Sequence, residues 1–229
     1  MTDLDVWSLV QRGLFKEACR IADIEFQNTK RVYHLRNKVY AQFHLKNYNE
    51  AIELIQNIIK LEKGESESDF KSLGIANWIV GNTSKAIEAW QQAQNSLYKD
   101  AAGGMEIQAL LYFAGIKTGQ DKLKSTTVKT IKKLLKSKRS INWPGPIGHY
   151  LLNEMTESEL LSYVANVPIL KERQLCQVQF VSAIKRLETG DTSGYYKKLK
   201  DCISYGPPSY LEQMYYMAKG ELEMSVHAG

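Results

Sequence analysis

The sequence predicts an all-α fold made of consecutive antiparallel helix pairs, and three observations predict it. Apolar residues recur at three- and four-residue spacing through most of the chain, while the strict alternation of half-buried strands is rare. Five prolines and fifteen glycines in 229 residues are too few for the many tight turns of an all-β protein. A short pattern also returns three times, as Gly13-Leu14-Phe15-Lys16-Glu17-Ala18, Lys46-Asn47-Tyr48-Asn49-Glu50-Ala51 and Gly81-Asn82-Thr83-Ser84-Lys85-Ala86. Its alanines lie 33 and then 35 residues apart, a period suited to stacked helix pairs.

The first unit has only a short helix before Gly13, followed by one carrying Ala18, Cys19, Ala22 and Phe26, and reads as a shortened cap. The second predicts a helix over residues 30–45 and a partner bearing Ala51, Ile55, Ile58 and Ile59. Lys38 and Val39 stand where a leucine and a small residue would pack better. The third is the clearest: Phe70, Leu73 and Gly74 share a face, Gly81 breaks the chain, and Ala86, Trp90 and Ala93 recur on the next helix. Gly74 and Ala86 let the paired helices approach, and Trp90 fills the space between units. A fourth pair spans 105–117 and 122–136, with Val128, Ile131, Leu134 and Leu135 as an apolar stripe. Ser140-Ile141-Asn142-Trp143-Pro144-Gly145-Pro146 cannot lie inside a helix, which predicts a joint between residues 1–139 and 140–229 of one continuous stack. Beyond it, helices are expected over 147–153, from a Thr156-Glu157-Ser158-Glu159 cap to 166, and over 171–189, 193–204 and 209–224.

The third unit resembles the tetratricopeptide-repeat family, in its order of aromatic Phe70, Leu73-Gly74, turn Gly81, Ala86, aromatic Trp90 and Ala93. The resemblance implies a right-handed α-solenoid whose first helices line a concave surface for a partner protein. Carried onto this chain, that surface would comprise Arg36, Tyr40, Phe43 and His44, then Lys71, Ile75, Trp78 and Ile79, then Phe113 and Lys117. Aromatic residues beside cations are the types that dominate protein interfaces, although Phe43 and Trp78 could equally pack into neighbouring helices. Tyr40 and Ile75 replace the asparagine with which the family's carboxylate-gripping grooves work, so an apolar or mixed partner surface is expected. The second half, through Trp143-Pro144, Pro146-Ile147, Tyr150-Leu151-Leu152, Leu175-Cys176, Phe180, Gly190-Asp191 and Tyr215 to Leu222, resembles the tail of a bacterial envelope tetratricopeptide adaptor lipoprotein. That resemblance implies a binding scaffold, without the lipid anchor.

The start, Met1-Thr2-Asp3-Leu4-Asp5, is acidic and has neither the features of a secretory signal nor a lipid-attachment cysteine. No run approaches the roughly 18 apolar residues of a membrane span, so a cytoplasmic protein is expected. Cys19, Cys176 and Cys202 are odd in number and lack Cys-x-x-Cys spacing, which predicts reduced thiols. His34, His44, His149 and His227 form no metal-binding motif. No nucleophile elbow or phosphate loop is present, so no catalytic residue, cofactor or metal is expected.

The net charge of +5 is unevenly placed: residues 117–139 hold nine cations against Asp121, a segment of +8 that leaves the remainder at −3. Lys129, Lys132, Lys133 and Lys136 form the centre of this basic patch. It can be a solvated helix face, a dock for an acidic protein, or a nucleic-acid contact, the last disfavoured by its single arginine and absence of aromatics. The sequence therefore points to a protein–protein interaction scaffold, such as an immunity protein neutralising a toxin or an adaptor or chaperone. The alternative is a nucleic-acid-binding or regulatory protein working through the lysine-rich helix 122–139.

Overall fold

The computed structural model describes residues 5–227; residues 1–4 and 228–229 and the side chains of Val226 and His227 lie outside the described part. Among the described residues the protein is all-helical. The first half holds four pairs: α1 (Val6–Gln11) with α2 (Phe15–Thr29), α3 (Tyr33–Leu45) with α4 (Tyr48–Leu61), α5 (Glu67–Ile79) with α6 (Thr83–Ala93), and α7 (Met105–Lys117) with α8 (Asp121–Leu135). After a 3-10 turn at Lys138–Ile141 come α9 (Pro146–Leu151), α10 (Glu157–Ser162), α11 (Pro168–Glu188), α12 (Thr192–Ile203) and α13 (Gln213–His227). No described helix is long and apolar enough to cross a membrane.

One turn recurs at five hairpins. Gly13, Lys46, Gly81, Gly119 and Gly190 each take a left-handed φ, between 63° and 82°. The residue after each donates its N–H back five positions, as Asn47 does to Gln42 and Asn82 to Asn77, closing the carbonyls that a helix end leaves open. Ala18, Ala51 and Ala86 follow these turns and are completely buried. In the third pair Gly74 makes room for a ring rather than for the α6 backbone: a Cβ there would lie 2.1 Å from Trp90 Nε1. That indole donates to the Lys71 carbonyl at 3.2 Å and stacks on Trp78 with centroids 5.7 Å apart.

Several boundaries differ from expectation, among them the start of α3 at Tyr33 and not residue 30, and the end of α9 at Leu151. The 3-10 turn Pro207–Ser209 delays the last helix to Gln213. The helix capped by Thr156 stops at Ser162, although its capping box with Glu159 is complete. Pro168, suited to a first helical turn, starts α11 three residues earlier than the periodicity implies. Residues before and after the Trp143-Pro144-Gly145-Pro146 joint share one core, in which α9 packs on α7 and α8, and α11 on α7. Cys176 and Cys202, distant in sequence, are buried on α11 and α12 with sulfurs 3.3 Å apart and unbonded, while Cys19 is half-buried.

Candidate functional site

The face expected to receive a partner is covered by α13 of the chain itself. Tyr40, at 8% exposure, stacks on Tyr216 and accepts a hydrogen bond from Gln213 Nε2 at 3.3 Å. Phe43 is wholly buried 5.0 Å from the Tyr216 ring. His44 lies face to face with Phe15 at 4.2 Å, against Tyr210 at 4.1 Å, with Tyr216 Oη at 3.3 Å. Burial in this ring cage, with Lys219 nearby, lowers the imidazole pKa to about 3. Trp78 donates to Glu221 Oε1 at 2.7 Å, and Lys117 pairs with Glu221 Oε2 at 2.8 Å. Phe113 and Ile75 are fully buried, Phe113 between Trp78 and Phe180, and Ile79 meets Gly220.

Arg36 is also engaged internally, holding Asp69 through two bonds of 2.8 Å and Glu62 at 3.1 Å, which raises its pKa. Of the groove residues inferred from the family resemblance, the buried apolar and aromatic ones thus pack in the core. The exposed end of the set, Lys117, is tied to α13. The physical reason is that the first turns of α13 are buried on every side: Met214, Tyr215, Tyr216, Met217 and Ala218 all enter the core, and the buried Gln213 and Glu221 supply partners for polar tips. That complementarity involves residues about 140 to 175 positions apart, beyond the reach of any local pattern.

A second cluster takes in one of the expected groove residues, Lys71, which the structure places in a buried ion-pair network; its other members have no counterpart among the sequence expectations. Lys71, at 6% exposure, pairs with Glu106 and lies 3.6 Å from Glu67. Gln177 Nε2 donates to both Glu106 and Glu212, at 2.8 and 2.5 Å, and Arg173 Nε donates to Glu212 at 2.5 Å. Burial works against Lys71's charge, but Glu106 and Glu67 hold its pKa above the usual value. The carboxyls of Glu67 and Glu212 are raised by burial, Glu67 to about 7. Glu67, Lys71, Glu106, Arg173 and Glu212 line a cavity of about 410 Å³ that reaches the surface beside Tyr98 and Lys99. The one sequence signal for it is the placing of Glu67 and Lys71 four apart on a helix otherwise buried nearly all round.

The basic patch is where its sequence puts it. Thr127 and Ile131 turn α8 inward, leaving Lys129, Lys132, Lys133 and Lys136 exposed together with Lys122, Lys138 and Arg139. Among the described residues none of these seven has a carboxylate within 4 Å, whereas Lys124 on the same helix reaches Glu188 at 2.7 Å. Elsewhere on the surface, Leu161, Tyr163, Val167, Ile169 and Leu170 are exposed within ten residues around the start of α11. No family model, curated protein or solved structure matches the chain.

Proposed function

We propose that the protein is a binding scaffold of the tetratricopeptide type, a right-handed solenoid of helix pairs closed by α13, which docks an acidic partner protein on the exposed lysine face of α8. The observation that carries this reading is a concentration of seven exposed cations on and just after one helix, with no carboxylate within 4 Å among the described residues. Such a field steers an anionic surface into register and rejects basic ones. The apolar group around Val167 and Ile169 favours a protein over a nucleic acid, because an exposed cluster of this kind suits an interface core. An immunity protein that blocks a toxin, or an adaptor or chaperone in the cytoplasm, would use such a surface.

The test is retention of host proteins by the purified chain over a series of salt concentrations, beside the quadruple variant Lys129→Glu, Lys132→Glu, Lys133→Glu, Lys136→Glu. A specific acidic protein should bind the native chain, with affinity falling at least about tenfold in the variant and weakening as salt shortens the screening length. Equal retention by both chains would remove the lysine face from the function. Recovery of nucleic acid in place of protein, with a steep salt slope, would favour the regulatory alternative.

A further inference from the structure

We infer that Glu67, Asp100 and Glu106 form a binding site for a hard divalent cation, Mg²⁺, Mn²⁺ or Ca²⁺. Each contributes a carboxylate oxygen within 4.8 Å of the other two. Ligand oxygens bonded to one such ion at roughly 2.0–2.6 Å lie at most about 4–5 Å apart, so this separation is compatible with a shared ion. The set is all oxygen, which selects hard cations over thiophilic metals.

The independent pointer is Glu67. Its side chain is almost fully buried, at 3% exposure, yet Oε2 has no hydrogen-bond donor. Oε1 accepts from the Asp100 N–H at 2.7 Å, so the carboxylate is held in place with one oxygen left over. A Cβ on Gly104 would lie 3.4 Å from Oε2, which sets that oxygen against the backbone turn ahead of α7. Asp100 organises the same turn, accepting the N–H groups of Ala102, Gly104 and Glu106 at 2.8 to 2.9 Å. Buried acceptors without a donor are rare in native proteins, and an ion or its bound water is what this one lacks.

Charge leads to the same place. Arg173 already answers Glu212, so Lys71 is the one ammonium paired within this group; with Glu67, Asp100 and Glu106 all ionised, a surplus of two negative charges is left, which one divalent ion cancels. Lys71 bridges Glu106 and Glu67 in the meantime, which keeps the carboxylates together before an ion arrives. The adjoining cavity of about 410 Å³ gives entry and room for the waters that complete a coordination shell. Burial also raises the pKa of Glu67 and Asp100, so protons compete with the ion.

The full chain titrated with Mn²⁺, Mg²⁺ and Ca²⁺ by calorimetry should take up one ion, and Glu67→Gln should weaken binding at least tenfold while the chain still melts cooperatively. Lys71→Met, which removes the competing ammonium, should tighten it. A readout that does not depend on altering the cluster is Tb³⁺ luminescence excited through Tyr40 and Tyr98, both of which line the cavity. It should be quenched by Ca²⁺ and dimmed by Tyr98→Phe at an exposed position. Absence of saturable binding for all three ions, or binding unchanged by both Glu67→Gln and Glu106→Gln, would each overturn the assignment.

Discussion

His44 shows how a single side chain can couple this core to pH. Its ring is enclosed by Phe15, Tyr210, Tyr215 and Tyr216, and its folded pKa of about 3 lies far below the unfolded value near 6.5. Between those limits the unfolded chain binds a proton that the folded chain refuses, so stability rises with pH there and is lost as pH falls from 6.5 toward 3. The slope from this one group is at most about 1.4 kcal/mol per pH unit. Urea midpoints from pH 7 to pH 4 should fall less steeply for His44→Phe, which keeps the stack on Phe15, than for the native chain. Parallel curves would mean that the imidazole is protonated in place. A histidine near a turn carries no such information in the sequence, because the rings that desolvate it come from both ends of the chain.

At the level of the element, the hairpins were legible because their signals are local. Gly13, Gly81, Gly119 and Gly190 supply left-handed backbone directly, and the alanines behind three of the turns mark where helices must touch. Lys46 occupies the same position with φ of 63°, at a cost that glycine would not carry. Its ion pair with Glu223, at 3.2 Å, is 61% exposed on the lysine side and offsets little of that cost. Lys46→Gly should therefore stabilise the protein by about 0.5–1 kcal/mol, after allowance for the looser unfolded chain, measurable as a higher urea midpoint at constant slope. The lysine face of α8 was equally legible, since a charge run on an amphipathic helix has only one side on which to lie. The carboxylate cluster was not: Glu67 and Glu106 read as ordinary acids of first helical turns, and only the approach of α11 and residue 212 turns their position into an interior.

Over the whole molecule, the expected groove residues Tyr40, Phe43, Ile75 and Trp78 are buried within the chain. The sequence identifies faces with interface chemistry, such as Tyr40, Phe43 and Trp78, but interface and core use the same chemistry, and what covers a face is a long-range fact. Here the cover is α13. Removing it by ending the chain at residue 212 should expose Tyr40, Phe43, Ile75 and Trp78 together. It should also leave the Trp78 N–H and the Lys117 ammonium without Glu221. The truncated chain is expected to bind a hydrophobic dye and lose near-ultraviolet circular dichroism while keeping most of its helical signal. A truncated chain that binds the dye yet keeps native near-ultraviolet dichroism would show that α13 is a detachable cover over a preformed groove.

The reach of α13 also bears on how the chain becomes folded. Tyr48 donates to Glu223 across 175 residues, and Gln213 bonds Tyr40 and Ser68 across 173 and 145. Helix hairpins form from neighbours in microseconds, but these closures must await a segment translated after every other described element. At roughly 5–20 residues per second, the early hairpins spend some ten to thirty seconds on the ribosome with an aromatic flank uncovered. During synthesis, that interval is when a chaperone would find the chain, and when two nascent copies could exchange their closing helices.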